Sequence, residues 1–231
     1  MSRLRHRAKW LDYLANMLET KSVRASARAV DVHRNTSFRW RHRFLALTRH
    51  DRAERLAGIV EADEMFLLES QKGARTLDRP ARRRGGVAST RGITHEHVCI
   101  LVARERSGQT LDFITGRAAV TKRQLHRHLA PRLDRDALLV TDGHPAYRSF
   151  AREAGIAHAF VNLRLGERAR GTVHVQNVNA YHQRFRQWLA RFHGVASHYL
   201  PNYLGWRWAL DGERIASAQQ LLRAALGIFH T

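Results

Sequence analysis

The first part of the chain arranges apolar and polar positions with the period of an α-helix. Spacings of three and four residues separate the apolar residues Trp10, Tyr13, Leu14 and Met17. This pattern predicts an amphipathic helix. A second, short helix is predicted over about residues 23–30 and a third over about residues 35–47, with a break at 31–33. Residues 1–57 are therefore predicted to form a small helical domain.

From residue 58 onwards, short apolar runs alternate with helical stretches. Strands are predicted over residues 59–68, 97–103, 110–114, 137–141 and 157–161. Helices are predicted over residues 121–129, 146–153, 178–192, 202–210 and 217–229. Residues 70–93 are basic, contain glycine and have few apolar positions, which predicts a mobile loop. This order of elements predicts a mixed α/β domain over residues 58–231.

Net charge narrows the functional class further. The 231 residues include 40 Lys or Arg and 20 Asp or Glu, which gives a formal net charge of +20. A compact protein with this charge repels itself unless a polyanion offsets it, so we expect a nucleic-acid partner. No apolar run reaches the roughly 18–20 residues of a membrane span, and no apolar signal core follows the basic start. We therefore expect no membrane partner and a cytoplasmic location. The single cysteine, Cys99, excludes an internal disulfide and a multi-cysteine zinc site.

Residues 23–45 have the pattern of a helix-turn-helix. Ala25 and Ala29 share one face of the first helix and are small, so a second helix could pack closely there. Asp31 stands at the turn, and Asp tolerates the left-handed backbone conformation better than most residues. DNA contacts are then predicted for Arg34, Asn35, Thr36, Arg39 and Arg43. The alternative is a basic helical hairpin that only packs on the main domain.

Three polar residues stand where apolar elements would bring them together. Asp63 lies inside the first predicted strand, and Asp142 follows directly after an apolar strand. Asn179 lies on a predicted helix later in the chain. Active sites of open α/β sheets commonly lie at the carboxyl ends of strands. Two carboxylates and an amide oxygen that converge there could hold two Mg²⁺ ions for phosphodiester chemistry.

Each of these positions also has a plainer interpretation. Glu61 and Glu64 stand beside Asp63 and compete with it for a ligand role. Because side chains alternate along a strand, Glu61 shares the face of Asp63 and Glu64 takes the other face. Asp142 could belong to a simple turn, and Asn179 could cap a helix.

Three motifs of the chain resemble the ISXO-like insertion-sequence transposases of the DDE superfamily, in which Asn can replace the third acidic residue. The motifs are VEADE at 60–64, VTDGHPAY at 140–147 and HVQNVNAYHQRFRQWLARFHGVASHYLPNYLGW at 174–206. The sequence SFRWRHRFL at 37–45 is similar to the segment before the catalytic domain of that family. The resemblance implies an RNase H-like mixed sheet with flanking helices, preceded by a small helix-turn-helix domain. It also implies metal-dependent cleavage of transposon ends and strand transfer.

The resemblance also assigns roles to residues. It implies that Asp63, Asp142 and Asn179 are the catalytic metal ligands and that the cofactor is a pair of Mg²⁺ or Mn²⁺ ions. The basic residue seven places after the third ligand corresponds to Arg186, which would contact a phosphate near the cut. His182, one helical turn after Asn179, is a rival for the third ligand.

The implied partners are the terminal inverted repeats of a transposon and target DNA, with at least a dimer when two ends are bound. The basic loop is expected to hold DNA through Arg82, Arg83 and Arg84. The family usually carries a cysteine-rich zinc ribbon before the helix-turn-helix, whereas this chain has only Cys99. We therefore expect a truncated reading frame. The alternatives are a catalytically inactive remnant, a helix-turn-helix regulator whose second domain only oligomerises, and a stand-alone RNase H-like nuclease.

Overall fold

The protein divides into two compact units. Residues 52–184 form one unit, and residues 1–51 together with 185–231 form the other. This partition by packing differs from the division predicted from the pattern of elements along the sequence, into residues 1–57 and 58–231, which stays a prediction. The structure, a computed structural model, describes residues 6–50, 52, 54–83, 86–161, 166 and 169–228.

The regular elements follow the order expected from the sequence. The helices are α1 (Trp10–Leu18), α2 (Val23–Ala29), α3 (Arg34–Leu45), α4 (Lys122–His128), α5 (Pro145–Ala154), α6 (Gln176–Ala190), α7 (Leu200–Asp211) and α8 (Ala218–Ala225). The strands are β1 (Ile59–Leu68), β2 (His97–Glu105), β3 (Thr110–Arg117), β4 (Leu138–Thr141), β5 (Ala157–Phe160), β6 (Ala169–Arg170) and β7 (Val173–His174). The helix predicted over 217–229 is shorter than expected, because it ends at Ala225.

Five strands form one mixed sheet in the order β3-β2-β1-β4-β5. β1, β2 and β3 pair antiparallel, whereas β4 is parallel to β1 and β5 is parallel to β4. The parallel strands need helical crossovers, which α4 and α5 provide. An antiparallel meander continued by parallel strands in this order is the RNase H-like arrangement, so the predicted fold class is confirmed.

One face of the sheet carries the apolar core of this unit. The core includes Val60 of β1, Leu125 of α4, and Tyr147 and Phe150 of α5. Alternation along β1 turns Glu61 to the opposite face, where α6 lies against it. One face of β1 therefore packs against the apolar core. The other face contacts α6, the helix that bears Asn179, the third predicted ligand.

The other unit is helical and has an aromatic core. Tyr13 of α1 and Trp40 of α3 meet edge to face with ring centroids 5.3 Å apart, and Phe44 lies beside both. Gly205 of α7 lets the backbone at Arg49 approach, since a Cβ there would lie 2.6 Å from the Arg49 Cα. Helix α7 therefore packs in the same unit as the N-terminal helices.

The turn between α2 and α3 has the predicted conformation. Asp31 has a φ of 48°, in the left-handed region, as expected for this position. His33 begins α3 with a side-chain cap, because its Nδ1 accepts a hydrogen bond from the backbone N–H of Asn35 at 3.2 Å. In the part of the chain that the structure describes, no helix is long and apolar enough to cross a membrane.

Candidate active site

Two carboxylates stand at the carboxyl edge of the sheet. The parallel pairing of β1 with β4 places Glu61 opposite Val140. Asp63 comes two residues after Glu61, and Asp142 comes two residues after Val140, so both stand at the same level of adjacent chains. Neighbouring strands lie about 4.8 Å apart. Continued by two residues, this register places the first two predicted ligands on neighbouring segments, at the edge where open α/β sheets bind their ligands.

The backbone after β4 fixes the position of Asp142. Its Oδ1 accepts a hydrogen bond from the backbone N–H of His144 at 3.0 Å. Gly143 has a φ of +83°, and a Cβ there would lie 2.7 Å from a ring carbon of Phe160. Glycine alone combines this φ with this close approach. Asp142 therefore does form a turn, in which its Oδ1 accepts the hydrogen bond from His144.

Glu64 experiences the negative charge of this edge. Burial raises the pKa of Glu64 to about 8, and the charges of Asp63 and Asp142 add to the increase. The Tyr147 hydroxyl faces the Glu64 carboxyl, but its geometry falls short of a hydrogen bond, and Oε1 of Glu64 is buried without a partner among the described residues. Burial, followed by the charges of Glu64 and Asp63, also raises the pKa of Tyr147. This concentration of negative charge favours a bound cation.

Glu61 shares the face of Asp63 but has another task. It is fully buried, and its carboxylate accepts hydrogen bonds from the backbone N–H groups of Asn177 at 2.8 Å and Val178 at 3.1 Å. The side-chain amide of Asn177 donates a third bond at 2.7 Å. The carboxylate thus satisfies N–H groups at the start of α6 and lies at the positive end of the helix dipole. Glu61 therefore joins β1 to the helix that bears Asn179.

Two further groups surround the same carboxylate. Arg106 Nε lies 3.5 Å from Glu61 Oε1, and His174 Nδ1 lies 3.1 Å from the same oxygen. With five polar contacts, Glu61 is engaged within the fold, so its geometry favours an anchoring role over metal ligation. Sequence reasoning weighed Glu61 only as a competing ligand. The signal for its anchoring was its position in an apolar strand, which requires a buried partner.

On α6, His182 lies beside Asp63. The His182 side chain is 3% exposed, and its Nδ1 is 3.9 Å from Asp63 Oδ2. Asn179 lies one turn earlier and has an exposed side chain. Arg186, two turns after Asn179, is also exposed and lies in the part of α6 that belongs to the helical unit. Both candidates for the third ligand therefore lie on α6, one exposed and the other buried.

The rotation of α6 on the sheet is fixed by Tyr181. Its hydroxyl donates a hydrogen bond to Asp112 Oδ2 at 3.0 Å. Asp112 is also paired with Arg52, whose Nη2 lies 2.9 Å from Oδ1. Val102 of β2 pairs with Asp63 on one side and with Asp112 on the other, so these side chains share one face. The bond from Tyr181 therefore holds α6 over the face that carries Asp63.

The oxygen atoms at this edge of the sheet are ligands that suit a hard cation. Carboxylate and amide oxygens are the ligands that Mg²⁺ and Mn²⁺ prefer, whereas imidazole suits softer transition metals. Asp63 and Asp142 are half-buried, and their charges add to the effect of burial in raising the pKa of Glu64. Among the described residues, no cluster of three or more His, Cys, Asp or Glu side chains is placed to hold a metal ion. Asn179 is not one of these four residue types, and it would offer a metal ion its amide oxygen.

The residues predicted to contact DNA on α3 lie mostly on its surface. Exposed side chains belong to Arg34, Asn35, Arg39 and Arg43, and Thr36 is half-buried. Arg24 and Arg28 of α2, which the sequence analysis did not single out, line a cavity of about 670 Å³ together with Arg34. Their spacing of four residues on an exposed helix face was the available signal.

The basic loop places its three predicted DNA contacts differently. The Arg82 side chain is 17% exposed and forms ion pairs with Glu69 and Glu96. Arg83 is exposed. Arg84 lies outside the described residues. Arg82 is therefore engaged within the protein, whereas Arg83 faces solvent.

Comparisons with known proteins add a family. A family model described as an ISXO2-like transposase domain matches residues 55–208. No curated protein matches the chain. A chain of the simian T-cell lymphotropic virus intasome in complex with PP2A regulatory subunit B56 gamma is 11% identical, with 86% of this chain and 73% of that chain covered and a TM-score of 0.39.

Two Mos1 structures show a similar degree of likeness. A pre-cleavage Mos1 transpososome and a Mos1 mariner paired end complex with Mn are each 11% identical, with 97% of this chain and 76% of that chain covered and a TM-score of 0.35.

Proposed function

Because this chain belongs to the ISXO2-like transposase family, we propose that it cuts the ends of an insertion sequence and joins them to target DNA. The observation that carries the proposal is the placement of Asp63 and Asp142 at one level of adjacent chains, at the carboxyl edge of an RNase H-like sheet. The partners are the terminal inverted repeats and the target duplex. Two ends must be held together, so the DNA-bound form is at least a dimer.

The proposed cofactor is a pair of Mg²⁺ or Mn²⁺ ions held by Asp63 and Asp142. Bound there, the ions would lower the pKa of the attacking hydroxyl and offset charge on the leaving oxygen. The chain itself contributes the two carboxylates and their orientation. The turn through Gly143 directs Asp142, and Glu61 and Tyr181 fix α6 over Asp63. Arg186 is proposed to contact a phosphate near the cut.

For the third ligand we propose Asn179. Its amide oxygen is a hard donor, whereas the imidazole of His182 is a poorer ligand for Mg²⁺. The exposed side chain of Asn179 can turn toward an ion or a phosphate, and its neutral oxygen adds no charge to the site. His182, buried 3.9 Å from Asp63, is proposed to orient that carboxylate.

Recognition of DNA is proposed for the α2–α3 segment. Arg34, Asn35, Thr36, Arg39 and Arg43 would contact DNA, with the N-terminal residues of α3 in the major groove. The exposed arginines and the left-handed turn at Asp31 support this interpretation. Residues 1–57 would then bind DNA, and residues 58–231 would carry the catalytic centre.

A titration with Mn²⁺ by calorimetry, beside the variant Asp142→Ala, tests the proposed function. Saturable binding that the variant loses is the expected result, followed by Mn²⁺-dependent nicking of DNA that is also lost. Equal heats for the two proteins, with DNA binding intact, would contradict the metal centre. That result would favour a remnant without catalysis or a DNA-binding regulator.

A further inference from the structure

Glu69, the residue after β1, is the centre of an arginine network. Its side chain is 7% exposed. Arg79 Nε donates to Glu69 Oε2 at 3.0 Å, and Arg117 Nη2 donates to Oε1 at 3.3 Å. The backbone carbonyl of Glu69 accepts a hydrogen bond from Arg82 Nη1 at 2.6 Å. A buried carboxylate with three arginines is over-compensated in charge, so it holds these side chains firmly.

A second carboxylate, that of Glu96, binds the other end of the segment that follows Glu69. Arg82 Nη2 lies 3.1 Å from Glu96 Oε1, so Arg82 bridges Glu69 and Glu96. Ser89 donates to Glu96 through its backbone N–H at 2.6 Å and its hydroxyl at 3.0 Å. The Ser89 backbone bond, followed by Arg82, holds the pKa of Glu96 below its ordinary value. The sequence predicts a mobile loop over 70–93, but these contacts fasten the segment at both ends.

The described arginines of this segment fall into two groups. Arg79 and Arg82 turn inward to the two carboxylates. Arg75, Arg83 and Arg91 are exposed. A segment whose ends are fastened loses less conformational entropy when its exposed arginines bind phosphate, so it is a better phosphate-binding surface than a loose loop.

The segment begins on the side of the sheet where the two catalytic carboxylates lie. β1 continues to Leu68, whereas its partner β4 ends at Thr141 beside the middle of β1. Glu69 is six residues after Asp63, which corresponds to about 20 Å along an extended strand. A duplex that is cut at Asp63 would extend over this distance, so its flanking phosphates come within reach of the segment.

We propose that residues 70–83 and 86–95 form a preformed binding surface for the DNA backbone that flanks the cut. Arg75, Arg83 and Arg91 contact phosphates, and Glu69 is the positioning residue that holds the surface in shape. The inference rests on the proposed function for the place of the cut. It refines the DNA contact expected of the basic loop, because it assigns the contact to Arg75, Arg83 and Arg91 and the support to Glu69.

The first test uses the sign of a charge effect. Glu69→Gln raises the net charge by one, so electrostatics alone predicts tighter binding of DNA. The proposal predicts the opposite, weaker binding of a labelled duplex of arbitrary sequence, because the surface loses its support. Glu153→Gln is the matched control, because it adds the same charge on α5, and it should bind DNA as tightly as the parent protein or more tightly. Equal or tighter binding by Glu69→Gln would overturn the positioning role.

The second test needs no buried substitution. A triple variant of Arg75, Arg83 and Arg91 to Ala is compared with a triple variant of Arg123, Arg127 and Arg152 to Ala, which removes the same charge from exposed positions of α4 and α5. Each lost phosphate contact lowers the slope of log Kobs against log salt by about 0.9, so the first variant should lose about 2.7 and the second less than about 1. Equal slopes for the two variants would overturn the proposal.

The two proposals fail separately. If the protein binds Mn²⁺ through Asp142 but the two triple variants bind DNA alike, the surface is wrong and the metal centre stands. If the parent protein binds no Mn²⁺, but the slope of log Kobs against log salt falls in the first triple variant alone, the proposed metal centre is wrong and the proposed DNA-binding surface is supported.

Discussion

Four carboxylates along β1 and its end differ in what surrounds them. Glu61 accepts three hydrogen bonds at the start of α6, and Glu69 holds three arginines. Asp63 and Glu64 lie between them, at the level of Asp142, and burial, followed by the charge of Asp63, raises the pKa of Glu64. The comparison teaches that a carboxylate that accepts several donors from the fold holds the structure, whereas carboxylates that stand near one another are suited to binding a cation.

Among substitutions of the carboxylates proposed to bind the metal, Asp63→Asn should lower Mn²⁺ affinity most. It keeps the shape of the side chain but removes the charge, so Mn²⁺ affinity should fall more than about a hundredfold, since outer-shell changes alone cost about 10–100-fold. Calorimetry and a plasmid-nicking assay measure the loss. Asp134→Asn, at an exposed carboxylate paired with Arg55, is the control and should bind Mn²⁺ normally. Unchanged binding by Asp63→Asn would place the metal elsewhere.

Among substitutions of the carboxylates that hold the structure, Glu61→Ala should lower the free energy of unfolding most. Loss of a buried carboxylate leaves Arg106 and the first N–H groups of α6 unsatisfied, so the free energy of unfolding should fall by about 3–5 kcal/mol. Urea denaturation measures this change. Hydrogen exchange at Asn177 and Val178 should also accelerate, whereas Glu153→Ala should leave both measurements unchanged. A stable Glu61→Ala variant with protected amides would remove the distinction between anchors and ligands.

Glu64 should make the stability of the metal-free protein depend on pH. Its pKa is about 8 in the folded chain against an ordinary value of 4.5, so the folded state holds the proton more tightly than the unfolded state does. The stabilisation is present in full below about pH 4.5 and is lost as the pH rises through about 8, with a total of a few kcal/mol.

The measurement compares Glu64→Gln with the parent protein by urea denaturation between about pH 5 and 9. The free energy of unfolding of Glu64→Gln should lack the fall with rising pH that Glu64 causes. The variant should therefore be more stable than the parent protein at about pH 9. Parallel curves for the two proteins would show that Glu64 ionises freely and that the carboxylates of this edge do not interact.

The smallest effects should separate the two candidates for the third ligand. Asn179→Ala should lower Mn²⁺ affinity about tenfold, because the carboxylates remain. His182→Ala should change Mn²⁺ affinity less but should lower stability, since the side chain is buried beside Asp63. Calorimetry and thermal unfolding measure the two effects. The reverse ranking of Mn²⁺ affinities would make His182 the ligand.

Local patterns predicted the strands and the positions of the carboxylates well. Alternation along β1 placed Glu61 with Asp63 and Glu64 on the other face, and the apolar run before Asp142 marked the end of β4. These are properties of neighbouring residues. The sheet order and its RNase H-like class came from the family resemblance, because pairing between distant strands leaves no local pattern.

The contacts that the sequence did not predict join residues that are far apart in the chain. Glu61 meets Asn177 at a separation of 116 residues, and Arg117 meets Glu69 at 48. Nothing local to Arg82 shows that it turns inward, because a basic, glycine-containing stretch has the composition of a solvated loop. The packing of α7 with the N-terminal helices depends on the missing side chain of Gly205, which is visible only in three dimensions.

The most direct test of the central claim is a crystal structure of the full chain grown with Mn²⁺, with anomalous scattering recorded for the metal. The account predicts an anomalous peak within about 2–2.4 Å of carboxylate oxygens of both Asp63 and Asp142, with Glu61 still bound to the start of α6. A peak at Glu61 or Glu69, or no peak at the carboxyl edge of the sheet, would contradict it.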